Sequence, residues 1–160
     1  MDLPRIFDEH HEGLFRFAYR LTGSAHDAED IVQECFLTLL RPDCRFDPDR
    51  RPVRAYLFGA VRNQALKRRP KPDAGIPPQQ TTASPEDQTL RTEIEATVAD
   101  AVLRLPENQR EVLILAHYER LPLSEIAAAL EIEVGAVKSR LQRARAHLRE
   151  QLTAFALNRR

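Results

Sequence analysis

The sequence predicts an all-α chain made of two small helical units, and three observations carry that prediction. Apolar residues recur at three- and four-residue spacing along most of the chain, and no segment alternates apolar and polar residues as a half-buried strand does. Prolines stand where helices should begin or be interrupted, at Pro42, Pro48, Pro52, Pro106 and Pro122. Five of the eleven prolines fall within 70–88, PKPDAGIPPQQTTASPEDQ, which holds almost no large apolar residue. Such a segment cannot pack a core and reads as an extended linker. It divides the chain into residues 1–69 and 89–160, each with a thin core of its own.

Helices are expected over 3–21, 26–41, 52–68, 89–104, 107–119, 124–131 and 135–155. Thr22-Gly23-Ser24 separates the first from the second. In the second, Ala28, Val32, Cys35 and Leu39 form one narrow stripe, flanked by Ile31 and Phe36. Asp30, Gln33, Glu34 and Leu37 lie opposite. A polar helix face is ordinarily just solvated, but an apolar Leu37 amid carboxylates suggests docking onto a basic protein surface. A loop framed by the three prolines, containing Asp43, Asp47 and Asp49, leads into the third helix. The block FDPDRRPVRAYLFGAVRNQALKRRPK interleaves Tyr56 and Phe58 with Arg51, Arg54, Arg62, Lys67, Arg68 and Arg69. Aromatics among cations can stack unpaired bases and hold their backbone. The plainer alternative is core aromatics beneath surface cations; Phe58 fits that better than Tyr56 does.

Near the C-terminus, LSEIAAALEIEVGAVKSRLQRARAHLR has the form of a helix–turn–helix. Ser124 can cap a short helix that buries Ile126, Ala127 and Leu130. After a break at 131–134, Val137, Leu141, Ala144 and Leu148 make the buried stripe of a second helix. Ser139, Gln142, Arg143 and Ala146 lie opposite, with Lys138, Arg145 and Arg149 on one flank and Arg140 and His147 on the other. Forked polar side chains facing a major groove, with cations toward its phosphate walls, suit a recognition helix. Arg143 could grip a guanine edge and Gln142 an adenine. A basic amphipathic helix that lies on a partner or is merely solvated is the alternative. At Glu131 the turn wants a positive φ, which costs a residue other than glycine about 1 kcal/mol.

Composition agrees with a soluble globular chain: 160 residues, 42% hydrophobic and 30% charged. No apolar run approaches the roughly 20 residues of a membrane span. The first five residues have neither a basic nor an apolar signal region, so secretion is not expected. Cys35 and Cys44 form no CxxC, which excludes a disulfide framework and a Cys-rich zinc site and suits a reduced cytoplasm. The net charge of zero conceals blocks. Residues 41–72 hold ten cations and three carboxylates, and 138–160 hold seven cations and one. Acidic stretches alternate with them: 1–40, and 73–137 between the two basic blocks. Two separate basic blocks suggest two contacts with a polyanion.

These segments together resemble the bacterial sigma factors of the extracytoplasmic-function class, over nearly the whole chain. LTGSAHDAEDIVQECFLTLL is similar to that family's region two, VRAYLFGAVRNQALKRR to its strand-opening part, and LRLPENQREVLILAHYERLPLSEIAAAL with VGAVKSRLQRARAHLR to region four. The DAEDxVQExF and VGxVKSRLxRAR strings, in that order around a polar linker, are specific. The resemblance implies a non-enzymatic subunit, without cofactor or metal, that gives core RNA polymerase its promoter specificity. Asp30, Gln33 and Glu34, with Leu37, would dock on the β′ clamp helices. Arg54, Tyr56, Arg62, Asn63, Lys67 and Arg68 would open and read the −10 element. Region four would meet the β flap, and Lys138, Ser139, Arg140, Gln142, Arg143 and Arg145 would read the −35 element. An anti-sigma factor is an expected further partner, one able to hold the chain at the inner membrane face. The chain departs from the family pattern at Tyr56 (commonly Trp), Arg120 and Glu131 (commonly Gly), Glu133 (often Pro) and Ala136 (commonly Thr).

A linker of 19 residues, at about 3.1–3.3 Å each, reaches at most roughly 60 Å, close to the span of about 17 base pairs. Three other readings are weighed against this one. A sigma-like decoy for an anti-sigma factor need not keep a basic recognition face. An operator-binding repressor or activator has no use for the acidic helix. An enzyme would have to be built on Glu9, His10, His11 and Glu12, which lack the HExxH spacing.

Overall fold

A computed structural model describes the backbone of residues 1–68 and 85–158, and the side chains of 1–68 and 93–158. Every regular element among them is helical: α1 (Leu3–Thr22), α2 (Ala25–Leu40), α3 (Val53–Leu66), α4 (Pro85–Leu103), α5 (Glu107–Leu113), α6 (Leu123–Leu130) and α7 (Val134–Asn158). The all-α expectation holds. Most of the expected linker lies outside the described residues, and α4 begins at Pro85, inside the stretch expected to be extended.

Local chemistry sets the boundaries. Asp2 accepts a hydrogen bond from the Arg5 N–H, and Pro4 sits in the first turn of α1. Gly23 ends α1 at φ 70°, a left-handed conformation that glycine adopts without strain. The adjacent Ser24 caps α2 by accepting from the Asp27 N–H. At α6 the expected Ser124 cap is absent; Pro122 occupies the cap position, and no side chain bonds the first turn. The expected continuous helix over 107–119 instead widens into a π-helical turn at Ile114–Tyr118, closed by Glu119 N–H donating to the Ile114 carbonyl.

Helices α1, α2 and α3 pack on one another, and α4, α5 and α6 pack around α7 or its neighbours. Leu14, Phe17, Ile31, Leu57 and Val61 are fully buried in the first bundle, and Val112, Leu115, Ile126 and Val137 in the second. Each such side chain contributes about 1.5–3 kcal/mol. The stripes expected on α2 and α6 are buried as anticipated, and on α7 Val137, Leu141 and Ala144 are buried while Leu148 is half-buried.

The two bundles do not stay apart. Helix α3 lies directly against α6, and one continuous cluster of buried apolar residues runs through both. At Gly59 the backbones come so close that an added Cβ would stand 2.5 Å from the Ala129 carbonyl oxygen. Only a glycine permits that approach without a shift of one helix. Each bundle, with a thin core of its own, completes its burial on the other.

Candidate nucleic-acid interface

On α2, Asp30 and Gln33 are exposed and Glu34 half-exposed, while Ile31, Val32, Cys35 and Phe36 hold the opposite face in the core. Leu37 is 55% and Leu40 62% exposed, so an apolar pair stands beside the carboxylates. Asp30 pairs with His26 one turn earlier, and Glu34 with Arg41 beyond the helix end. Both pairs are open to solvent and worth little.

Residues expected to handle an unpaired strand are in a different condition. Arg54 Nε donates to Glu125 Oε2 at 2.6 Å, and that hydrogen bond is the main cause of its raised pKa. Arg62 forms a two-pronged pair with Glu111, Nε to Oε2 at 2.9 Å and Nη2 to Oε1 at 3.2 Å. Glu111 is almost fully buried. Arg68 donates to the Asp27 carboxylate and backbone carbonyl. Asn63 and Lys67 are exposed. The Tyr56 ring packs against Phe46, and its hydroxyl lies 3.8 Å from Cys44 Sγ. Burial, reinforced by that contact, pushes the phenol pKa up to about 12. Tyr56 is thus half-built into the core, and Phe58 is wholly so.

The Arg54 and Arg62 partners both come from the second bundle, and further pairs cross the same seam. Arg51 donates to the Ala128 carbonyl and to Glu131. Arg16 bonds Glu119, and Arg20 stands 3.7 Å from the same carboxylate while lying over the Tyr118 ring. Burial raises the Glu119 pKa and lowers that of Arg20, in each case outweighing the nearby opposite charge. Sequence reading missed Glu111, Glu119 and Glu125. Their only trace was the net-acidic stretch around 106–137, facing the basic block of 41–72.

Helix α7 presents the reverse picture. Lys138, Ser139, Gln142 and Arg143 are exposed over the buried stripe, and Arg140 is half-buried. No ion pair among the described residues involves Lys138, Arg140 or Arg143. Arg145 donates to His117, whose pKa is lowered by burial and by that guanidinium. His147, expected on an outer flank, turns inward, its Nδ1 lying 2.6 Å from Gln109 Oε1. The turn between α6 and α7 places Glu131 at φ 56°, the positive value anticipated, and Arg120 just before α6 is likewise at φ 55°. His10 and His11 do not converge: His11 bonds the Phe7 carbonyl and stacks on Phe7, and His10 faces Glu9. Among the described residues no helix is long and apolar enough to cross a membrane.

Two family models match the chain, Sigma-70 region 2 over residues 6–71 and Sigma-70 region 4 over residues 96–148. The ECF RNA polymerase sigma factor SigW of Bacillus subtilis is 32% identical, over 92% of this chain and 87% of that one. The structure of CnrH in complex with the cytosolic domain of CnrY superposes with a TM-score of 0.71 at 28% identity, covering 95% of this chain and 88% of that one. The sigma factor RpoE in complex with the anti-sigma factor NepR from Bartonella quintana shares the fold, with a TM-score of 0.73 at 23% identity over 95% and 97%. A helix–turn–helix with an open cationic face, an acidic helix bearing an exposed leucine, and these matches along the chain lead to one conclusion: the chain belongs to the ECF sigma factors of RNA polymerase.

Proposed function

We propose that the chain is a cytoplasmic, non-enzymatic initiation subunit that binds core RNA polymerase, brings it to particular promoters and helps open them. Catalysis of RNA synthesis belongs to the core enzyme. Residues 1–69 serve as region two and the second bundle as region four, with the intervening segment spanning the two promoter elements. Asp30, Gln33, Glu34 and Leu37 dock on the β′ clamp helices, opposite charge steering the encounter and the leucine supplying apolar contact. Arg54, Arg62, Asn63, Lys67 and Arg68 hold the displaced −10 strand, with Tyr56 in support. Lys138, Arg140 and Arg145 meet −35 phosphates, while Ser139, Gln142 and Arg143 face base edges. Region four also meets the β flap. The likeness to CnrH, solved in complex with the cytosolic domain of CnrY, supports a protein partner for this chain, which we read as an anti-sigma factor.

The observation that carries this reading is the α7 face, where Lys138, Gln142 and Arg143 stand exposed over a buried stripe in a helix–turn–helix. A decoy for an anti-sigma factor has no need of that face. Run-off transcription with purified core polymerase and a promoter library tests both readings at once. Transcripts should start downstream of a shared pair of elements. A chain that directs no promoter-specific transcript yet captures an anti-sigma factor is a decoy.

A further inference from the structure

Of the cations on the open face of α7, Arg145 alone has a side-chain partner among the described residues. Its Nε donates to Nε2 of His117 at 3.3 Å, and His117 belongs to the π-helical turn Ile114–Tyr118 rather than to α7. Both side chains are exposed, so packing in the core does not force the contact. Arg145 stands two helical turns after Lys138, on the same flank of α7. A guanidinium carries five N–H donors, one on Nε and two on each terminal nitrogen. The bond to His117 uses the Nε, and no hydrogen bond or ion pair among the described residues takes the terminal pair. For Nε2 to accept, the imidazole must be neutral, with its proton on Nδ1. Burial, and after it the Arg145 charge, lower the His117 pKa and favour that form. The widened turn thus has a task, as π-helical turns in proteins frequently do.

We propose that His117 is a positioning residue for −35 recognition: from the π-helical turn it holds the Arg145 guanidinium by Nε and leaves Nη1 and Nη2 free for a phosphate of the groove wall. An arginine that is loose in the free protein loses rotamer freedom when it grips a phosphate, and one already held loses less. His117 adds no charge and touches no DNA; it acts through Arg145. Because the contact is to phosphate, the gain is the same for every −35 sequence. This inference rests on the reading of Arg145 as a phosphate contact.

The test uses the full chain, saturated with purified core polymerase, and a fluorescein-labelled promoter duplex titrated over a range of salt. Arg145→Ala should weaken binding to all −35 sequences and lower the salt slope by about one. His117→Met and His117→Gln are matched in length and helix propensity, but only the glutamine has an oxygen that accepts as the imidazole nitrogen did. His117→Met should bind about two- to tenfold more weakly at an unchanged salt slope, because Arg145 still reaches its phosphate. The loss should be uniform across a −35 library. His117→Gln should return to within about twofold of wild type. In a chain that already carries Arg145→Ala, His117→Met should have no further effect.

His117→Met that binds as tightly as wild type, or His117→Gln that binds as weakly as His117→Met, overturns the positioning role. So does a His117→Met loss that persists beside Arg145→Ala, because His117 then meets the DNA itself or shapes the turn. Circular dichroism of each variant shows whether the turn is intact; if His117→Met loses helicity, His117→Phe, a ring without an acceptor, takes its place in the comparison with His117→Gln. Failure of the underlying reading is seen in Arg145→Ala alone. If that variant keeps the wild-type affinity and salt slope, Arg145 meets no phosphate, and His117 has nothing to position.

Discussion

Regions two and four each carry a basic block of similar net charge, yet the two blocks are in opposite states. The region-four block projects Lys138 and Arg143 into solvent from α7. The region-two block spends Arg51, Arg54 and Arg62 on carboxylates of the other bundle. Residue type is the same in both; what differs is the surface opposite. Helix α7 stands over a stripe that its own bundle already buries, so its outer face stays open to solvent. Helix α3 is buried on one side by α1 and α2 and on another by α6, and its cations are caught where the bundles meet. A count of charges locates a polyanion-binding face but does not tell whether the protein itself already occupies it.

The largest expected effects separate open from closed faces. Reversing Asp30 and Glu34 to lysine should abolish core polymerase binding in a pull-down or anisotropy assay, and leave the helical circular dichroism intact, because both side chains lie outside the core. Unchanged core binding would remove the docking assignment. Glu111→Ala acts the other way. It strips Arg62 of a buried partner and should lower stability by about 2–3 kcal/mol in urea unfolding, below the range for fully buried pairs because Arg62 is 28% exposed. Lys138→Ala, on the open face, should change stability by no more than about 0.5 kcal/mol. Equal losses for the two would erase the distinction between the faces.

On the open face the next distinction is between base and phosphate. Arg143→Ala should cost about 1–3 kcal/mol at one position of the −35 element in holoenzyme binding. Lys138→Ala should weaken all sequences alike and reduce the salt slope by about one. A uniform loss for Arg143→Ala across a −35 library would put it among the phosphate contacts.

How much of this was legible in the sequence follows from the range of the interactions. Periodicity is local, and it located nearly every helix and the buried stripes of α2, α6 and α7. The turn at Glu131 was also legible, because a positive φ is a property of the residue and its neighbours. Arg120 showed only as a place where family members commonly have glycine, and it too adopts φ 55°. The π-helical turn at Ile114–Tyr118 was not, since Ile-Leu-Ala-His-Tyr has no local reason to widen; the turn lies where Tyr118 and Glu119 meet Arg20. The seam was hidden for the same reason. Gly59 looks like a weak spot in a helix until Ala129 is placed beside it, and the two are 70 positions apart in the chain. The acidic character of 106–137 was visible, but a solvated face explained it equally well.

Glu131 allows a finer test of the turn between α6 and α7. Its φ of 56° is strained for a side chain with a Cβ, so Glu131→Gly should stabilise the chain by about 1 kcal/mol. The Arg51 pair that is lost is 72% exposed on the glutamate side and offsets only part of this gain. Chemical unfolding at low and high salt checks it. A net loss at both would mean that the cross-seam pair outweighs the backbone strain.

The smallest change asks whether opening the seam leaves the first bundle whole. Cys35 is 3% exposed in the α1–α2–α3 core, and burial, aided by Glu34, pushes its thiol pKa up to about 12. Hardly any thiolate exists there at neutral pH, and reagents attack the thiolate. Cys44 is half-buried beside Tyr56, near the start of the loop that follows α2. A disulfide reagent under native conditions should therefore titrate one thiol readily and the second only on unfolding. Gly59→Ala should give the same single reactive thiol, since Cys35 lies in the core of the first bundle and is not among the groups at the α3–α6 seam. Cys44→Ser should leave no readily reactive thiol in either chain. Two reactive thiols in Gly59→Ala, with one in wild type, would mean that the bundles hold each other folded. Region two would then have no stable form apart from region four, and the contrast between a closed and an open cationic face would become one between folded and unfolded chains.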